Sequence, residues 1–524
     1  MSLLLIIMSI IVFLIILNWG YELIIEWKEA FVEPEELKPK KATLTSVIKY
    51  NSDYFNLWLG QLFSNLGGVI SMIALLLYII SIDESPMALA WYGIFQAIPM
   101  IFLSPIAGVL VDRLDRKKIM VISDLLQAFC IALLPFTNNL WQVYLITFLT
   151  SSINRFFYPA RNAAIPNLVD KNELLPANSL STLSFQIIFL IGPAIGGVLI
   201  AFTGYSIAFW LDSFTFIISA FFLYFIKTDL RPIHVISNQK NKKIEEEFPK
   251  IHKKTFSGEI KSVLTDIKLG FKYVKNYQLI WFLFSIFMFY SLFAGMVGQL
   301  WPNFMKVELE LSDIEFGLAL SVFAFSGVLG SFAVGALGDK FDRLGLLIVA
   351  VGFDGVFIVI LGLSTTLSQL FVIMLFYGVI SMFFEIPLVT LMQEAIRDDM
   401  RGRVNSMLNQ VFSIFRVVSV IIGSVLATGF KFTLFSQEVD FKGTGVGGAF
   451  VYAGVGVAFL GLFSFYYFLN HRGNLKISPE LIEKISYFGG TIPLEELNYS
   501  LKVERVSPSG TPNLQRLHAF FRRK

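Results

Sequence analysis

Long apolar runs recur along almost the whole chain, and this feature constrains the fold more than any other. Each run holds roughly 20 residues, and a helix of that length, rising ~1.5 Å per residue, crosses the ~30 Å hydrocarbon core of a bilayer. Hydrophobic residues make up 55% of the 524 residues and charged residues only 15%, which is far too apolar for a soluble chain. Because a helix satisfies its own backbone hydrogen bonds in lipid, the runs predict an all-α membrane protein.

The first apolar run stands apart from the others. No basic residue precedes it and several lysines follow it, so we expect residues 1–27 to form an extra, uncleaved transmembrane helix with its N-terminus outside, followed by a cytoplasmic linker at 28–53. The remaining runs fall into two groups, at 54–226 and at 279–470. Their predicted spans are 54–80, 89–111, 118–137, 141–164, 179–203 and 205–226 in the first group and 279–301, 317–338, 345–366, 368–392, 404–429 and 449–470 in the second.

Two basic segments flank the second group. The middle loop at 227–278 and the tail at 471–524 are both rich in lysine or arginine, which predicts that both lie in the cytoplasm. The part of the middle loop from Glu259 to Asn276 places apolar residues at helical spacing. We therefore expect an amphipathic helix there, lying along the membrane surface.

An internal repeat relates the two groups of spans. GVLVDRLDR at Gly108–Arg116 matches GALGDKFDR at Gly335–Arg343, and at the same offset of 227 positions Asn178 meets Asn405. Parallel repeats of this kind are found in transporters, whose substrate path lies between the repeats. The sequence therefore predicts two pseudo-symmetric six-helix bundles with a path between them.

The repeated segment is a candidate gate. It begins at a span end and continues into a basic loop, where its glycine allows two helices to approach closely and its acids and bases can form an ion network that latches one face shut. The alternative is a basic loop that only sets the topology of the spans. The candidate residues are Gly108, Asp112, Arg113, Asp115 and Arg116 in the first half and Gly335, Asp339, Lys340, Asp342 and Arg343 in the second.

This loop resembles the G-x-L-x-D-R-x-x-R-[RK] motif of the major facilitator superfamily. Its matching residues are Gly108, Leu110, Asp112, Arg113, Arg116 and Lys117. Residues 156–180, GPAIGG at Gly192–Gly197 and RGRVNSM at Arg401–Met407 are similar to the macrolide-efflux and enterobactin-exporter branch of drug:proton antiporters. The resemblance covers roughly residues 50–470 and implies the major facilitator fold.

GPAIGG resembles the core of the antiporter motif of that superfamily. Gly192, Gly196 and Gly197 permit tight packing, and Pro193 removes one intrahelical hydrogen bond, so this helix can bend as the halves rock. The alternative is a simple packing kink.

Ionisable residues inside the predicted spans are candidates for function, since each costs at least ~2.5–3.5 kcal/mol near the bilayer centre. The candidates for proton coupling or substrate binding are Asp212, Asp354, Glu385 and Arg416. For Glu385 and Arg416 the alternative is a buried pair that fixes helix packing. Under the repeat most of these charges have no equivalent in the first half, so we expect the unusual buried charge to be concentrated in the second half. Asp124 is interpreted as structural, and Gln61, Asn65 and Gln299 are candidate polar contacts in the cavity.

These features predict a secondary transporter of the plasma membrane, in the bacterial case the inner membrane, that functions as a monomer without a cofactor or nucleic-acid partner. The resemblance implies proton-coupled export of an amphiphilic small molecule, drug-like or a siderophore, from a membrane-lipid environment. A lipid or lysophospholipid flippase and a non-transporting membrane scaffold or sensor remain alternatives. An enzyme is not expected, because the sequence has no phosphate-binding loop, no nucleophile elbow and no His/Cys metal set, Cys130 being its only cysteine.

Overall fold

The computed structural model describes residues 43–111, 113–231, 256–337, 342–434 and 437–471. The predicted extra helix at 1–27 and the basic tail beyond His471 lie outside the described residues. Within them the chain folds into helices α1 to α15 and one short hairpin. Every predicted span of the two six-helix groups coincides with a helix, and the all-α prediction is confirmed with that hairpin added.

The first half begins with a short helix, α1, inside the segment predicted as a linker. Thr43 caps α1, since its hydroxyl accepts the Ser46 backbone N–H and the Ser46 side chain accepts the Thr43 N–H. The second predicted span is broken at Leu103 into two helices, next to Pro99 and Pro105, which cannot donate backbone hydrogen bonds. The helices of this half are α1 (Leu44–Tyr50), α2 (Ser52–Ile82), α3 (Pro86–Phe102), α4 (Ser104–Val111), α5 (Arg116–Ala132), α6 (Leu140–Leu168), α7 (Leu174–Thr203) and α8 (Tyr205–Tyr224).

A separate helix precedes the six core helices of the second half. That helix, α9 (Phe256–Asn276), contains the segment where the sequence predicts an amphipathic helix. An antiparallel hairpin, β1 (Gly429–Leu434) and β2 (Gln437–Lys442), pairs Gly429 with Lys442 and was not predicted. The remaining helices are α10 (Gln278–Asn303), α11 (Asp313–Leu337), α12 (Arg343–Gly362), α13 (Leu367–Ala395), α14 (Asp398–Thr428) and α15 (Gly445–His471).

Eleven helices of the described chain are long and apolar enough to cross a membrane. The helix α6 completes the twelve core helices but is not among these eleven, and it carries Arg155 and Arg161 among its 29 residues. Helix ends follow the local sequence. Gly204 and Gly429, both at φ 78°, end α7 and α14 in a backbone conformation that favours glycine.

Each half packs around its own core, and the halves meet along a few helices. In the first half α2 packs against α7 and α8, and in the second α12 packs against α15 and α11 against α13. The halves meet where α3 contacts α10 and α14, and where α7 contacts α11. We call the end of the molecule with the first residues of α5 and α12 the basic side, and the end with the last residues of α2, α7 and α10 the far side.

Candidate functional site

A cavity of about 310 Å³ lies between the two halves. Most of its wall comes from α3 and α6 of the first half, and α14 of the second half closes it. The lining combines apolar side chains with hydroxyl, amide and guanidinium groups. The lining residues are Leu75, Tyr92, Gln96, Ala97, Met100, Thr147, Thr150, Ser151, Asn154, Arg155, Phe412, Ser413 and Arg416.

Arg416 joins both halves at this cavity. Its Nη2 atom donates hydrogen bonds to the Oε1 atoms of Gln96 and Gln299, both at 3.1 Å. The Nε2 atom of Gln299 in turn donates to the Leu89 carbonyl at 3.1 Å, so α3, α10 and α14 are linked through one guanidinium. Glu385 is exposed on α13 and does not line the cavity. The expected alternative of a buried Glu385–Arg416 pair is therefore wrong, because two amides hold Arg416 instead.

Sequence reasoning missed two arginines on α6. Arg155 lines the cavity, and its Nε atom donates to the Ser151 carbonyl at 3.4 Å. Arg161 lies six positions along the same helix, in a small polar recess that it shares with the candidate residues Gln61 and Asn65. Both arginines lie inside the predicted span 141–164, so the rule that selected Arg416 would also have selected them. The unusual charge is consequently not concentrated in the second half.

The buried carboxylates lie within the halves, apart from the cavity lining. Asp354 is 0% exposed and accepts a hydrogen bond from the Tyr290 hydroxyl at 2.6 Å. Asp212 is 1% exposed and lies against Gly67 of α2, where a Cβ atom would come within 2.7 Å of its Oδ1. Asp124 is 0% exposed, and neither of its carboxylate oxygens has a hydrogen-bond partner among the described residues. No three His, Cys, Asp or Glu residues of the described chain cluster closely enough to hold a metal ion.

The GPAIGG motif seals the far side between α7 and α11. A Cβ atom on Gly197 would lie 2.4 Å from the Asp313 carbonyl oxygen and 3.2 Å from the Gly317 Cα, so the two backbones touch. The backbone N–H of Ala194, which follows Pro193, donates to the Ser321 hydroxyl of the other half at 3.1 Å. In the same motif Gly192 and Gly196 face Val69 and Ile70 of α2, and these close contacts hold α7 against its own half.

The N-terminal end of α3 makes a second far-side contact. The Asn303 side chain donates to the Glu84 carbonyl, and the Ser424 hydroxyl donates to the Pro86 carbonyl at 3.2 Å. Together with the α7–α11 contact and the Arg416 hydrogen bonds, these interactions join the halves above the cavity. The cavity is therefore closed toward the far side.

On the basic side the repeated motif organises each half separately. Asp115 caps α5 by accepting the Lys117 N–H at 3.0 Å, and Asp342 caps α12 by accepting the Gly345 N–H at 3.2 Å. Arg116 donates to the Ala163 carbonyl of α6 at 3.0 Å.

Arg343, the repeat equivalent of Arg116, forms an ion pair with Glu394 of α13 at 2.5 Å. Asp112, Asp339 and Lys340 lie outside the described residues. For both Gly108 and Gly335 a Cβ atom would meet nothing within 4 Å, so the close helix approach expected at these glycines is not made in this conformation.

Comparison with known proteins gives consistent matches across the chain. A family model described as Major Facilitator Superfamily matches residues 57–420 and, a second time, residues 288–497. A stretch of 170 residues is 31% identical to an uncharacterized MFS-type transporter, YfiS, of Bacillus subtilis, and covers 32% of this chain and 41% of that protein. Macrolide efflux protein A of Streptococcus pyogenes is 23% identical over 392 residues, which cover 72% of this chain and 91% of that protein.

The fold has solved counterparts. A bacterial homolog of the human lysosomal transporter Spinster, in an inward-facing and unoccupied conformation, matches with a TM-score of 0.59 at 14% identity, covering 82% of this chain and 98% of that one. This likeness confirms the fold that the sequence predicts.

Proposed function

The chain belongs to the major facilitator superfamily, and from this premise we propose that it exports an amphiphilic small molecule by proton-coupled alternating access. The observation that carries the proposal is the cavity of about 310 Å³ between the halves, closed on the far side by contacts between small residues and by hydrogen bonds. Leu75, Met100 and Phe412 offer an apolar surface beside polar groups, which suits an amphiphile. A relative named for macrolide efflux supports export as the direction.

We propose that the basic side faces the cytoplasm at a bacterial plasma membrane, because short loops rich in lysine and arginine stay on the cytoplasmic face. We propose that the cavity of this conformation is reached from the cytoplasm, where cargo would be loaded. Export requires the far-side contacts at Gly197, Ser321 and Asn303 to separate while the basic side closes. We expect Gly108 and Gly335 to make their close helix contacts in that second state.

Protons are the proposed coupling ion, and the buried or exposed carboxylates are the candidate carriers. Asp212 and Asp354 each lie inside one half, and Glu385 is exposed on α13. A carboxylate that binds a proton on one face of the membrane and releases it on the other couples transport to the membrane potential. The free energy available is ~2.3 kcal/mol per elementary charge and 100 mV. We propose a monomer in contact with membrane lipid as the working unit.

The test is transport by the purified protein in proteoliposomes. Vesicles with the basic side outward are loaded at low internal pH, and uptake of a panel of drug-like amphiphiles and siderophores is followed with and without the proton gradient. Gradient-dependent uptake supports proton-coupled export. Uptake that does not depend on the gradient contradicts proton coupling. Absence of uptake for every compound in the panel contradicts export of these classes of compound.

The carboxylates are tested in the same assay. Glu385→Gln, Asp212→Asn and Asp354→Asn are compared with Glu310→Gln, which changes an exposed carboxylate between α10 and α11. We expect at least one of the three to abolish gradient-driven uptake while counterflow exchange persists. Wild-type gradient dependence in all three contradicts a role for these carboxylates in coupling.

A lipid flippase is the weaker alternative. Most of the residues that line the cavity carry hydroxyl, amide or guanidinium groups, and its volume fits a small solute better than a pair of acyl chains. Flipping of a fluorescent lysophospholipid in the same vesicles, without transport of the soluble panel, would reverse this preference.

A further inference from the structure

The central cavity carries positive charge that no neighbouring acid balances. Of the residues that line it, Arg155 and Arg416 are cationic and none is Asp or Glu. Neither arginine forms an ion pair with any residue of the described chain. The carboxylates Asp124, Asp212 and Asp354 are buried elsewhere, inside the halves. The site therefore presents two cations to whatever fills it.

The two guanidinium groups also have N–H donors that are not used in hydrogen bonds within the described chain. A guanidinium has five N–H donors in a planar fork. Arg155 uses its Nε atom on the Ser151 carbonyl, and Arg416 uses one terminal nitrogen on Gln96 and Gln299. The remaining donors of each fork have no partner among the described residues, and they match the geometry of a carboxylate.

A third arginine extends the positive charge toward the basic side. Arg161 follows Arg155 by six positions on α6, which corresponds to about 9 Å along the helix axis. Its Nε atom is buried without a hydrogen-bond partner in the described chain. Arg161 therefore adds a third positive charge on the basic side of the cavity, within its own recess. Clefts lined by one sign of charge concentrate ligands of the opposite sign.

From this arrangement we infer that the cargo is an anionic amphiphile, whose carboxylate is bound by Arg155 and Arg416 while its apolar part lies against Leu75, Met100 and Phe412. The inference rests on the proposed function, because it takes this cavity as the cargo site. Burying a charge without an oppositely charged partner is costly, and two such charges in one cavity are costlier. A bound carboxylate supplies the missing partner. A cationic drug would instead meet like charges.

The charge of the cavity is tested first, without a ligand. Thr150, which lines the cavity and is half-buried, is changed to cysteine. The reaction rate of the new thiol is measured with two methanethiosulfonate reagents, one with an anionic ethylsulfonate group and one with a cationic trimethylammonium-ethyl group. Asn138→Cys, an exposed position near the far side, gives the reference ratio, and the native Cys130 is buried.

We expect the Thr150→Cys protein to favour the anionic reagent on the order of tenfold over the reference, since two cations lie along the cavity wall. Arg155→Gln and Arg416→Gln should each reduce this preference several-fold. Arg231→Gln, which removes an exposed arginine beyond α8, should leave it unchanged. A ratio equal to the reference, or one that the cavity arginines do not alter, overturns the inference.

The charge of the cargo is tested by binding to the purified protein. Titration calorimetry compares 1-naphthylacetate, 1-naphthylacetamide and 1-naphthylmethylamine, which share one ring system and differ in charge. We expect the carboxylate to bind at least tenfold more tightly than the amide and the amine, and to lose this advantage in Arg155→Gln and Arg416→Gln. Equal binding of the three probes, tighter binding of the amine, or binding of none contradicts the inference.

These measurements separate the inference from the proposed function. They follow a chemical rate and an equilibrium, so neither depends on transport. Selective binding of the carboxylate without gradient-driven uptake would remove proton-coupled export and leave the anion site standing. Gradient-driven uptake of neutral or cationic compounds without carboxylate selectivity would do the reverse.

Discussion

Replacing Gly197 by alanine should open the far side. The added Cβ atom would lie 2.4 Å from the Asp313 carbonyl oxygen and 3.2 Å from the Gly317 Cα. Both obstacles are backbone atoms of α11, so no side-chain rotation relieves the clash. Restoring a contact of at least 3.4 Å to the carbonyl oxygen requires α7 and α11 to separate by about 1 Å. The change therefore acts directly on the contact that closes the cavity.

The size of the effect follows from the cost of overpacking. Inserting one methyl group into a tightly packed contact costs about 1–3 kcal/mol. In the proposed state that is open to the far side this contact is separated, so we expect the methyl group to cost little there. Since 1.4 kcal/mol is a tenfold change in an equilibrium constant, the ratio of far-side-closed to far-side-open molecules should fall about 5- to 150-fold.

Double electron–electron resonance measures this shift. Spin labels at Thr203→Cys and Ser312→Cys, both exposed near the facing ends of α7 and α11, report the separation of the two helices in a Cys130→Ala background. Gly197→Ala should add a population at longer distance. Gly68→Ala is the matched control, because a Cβ atom there meets nothing within 4 Å. If Gly197→Ala and Gly68→Ala give the same distances as the unsubstituted chain, the Gly197 contact does not hold the far side closed.

Three further changes address the other contacts. Gly108→Ala should raise the unfolding temperature slightly, because alanine has the better helix propensity and its Cβ atom meets open space in this conformation. The same change should slow vesicle transport several-fold if the second state packs at this glycine. Unchanged transport contradicts the proposed closure. Glu308→Ala should cost about 1–2 kcal/mol in unfolding free energy, measured by tryptophan fluorescence, because the carboxylate accepts the backbone N–H groups of Val446 and Gly447 at the start of α15. Tyr290→Phe should cost about 1–3 kcal/mol in the same measurement by removing the hydrogen bond to Asp354, and an equal cost in an Asp354→Asn background would show that the pair is not coupled.

The helical framework was readable from the sequence because lipid imposes a simple rule on composition. Each span had to be apolar over about 20 residues, and the core helices follow those runs closely, with only the break at Leu103 and the short helix Leu44–Tyr50 added. The hairpin at Gly429–Lys442 was missed. Its strands are short, and the preceding helix was predicted to run to 429, where the chain leaves the helix at a glycine with positive φ.

The site was less readable, since its contacts join residues far apart in the chain. The sequence selects Arg416 as a charge within a predicted span, and the structure places it in the cavity lining, but its hydrogen bond to Gln96 spans 320 positions and leaves no local signal. The Gly197–Gly317 contact likewise depends on how two helices of different halves cross. Arg155 and Arg161 are a different case, because the rule that selects charges within spans was sufficient and was not applied to α6.

The placement of Arg416 suggests how cargo and conformation are linked. Its partner Gln299 belongs to the same half, whereas its partner Gln96 belongs to the other. In the proposed opening of the far side we expect the Gln96 hydrogen bond to break and the Gln299 hydrogen bond to persist. The Arg416 guanidinium then has one hydrogen-bond acceptor fewer as the cavity opens. A carboxylate on the cargo replaces what Gln96 gave up, and thereby lowers the cost of opening for the loaded protein more than for the empty one. Since Arg416 aligns with Phe189 in the repeat, the first half has no equivalent of this arginine, and the two rocking directions are energetically different even though the scaffold is nearly symmetric.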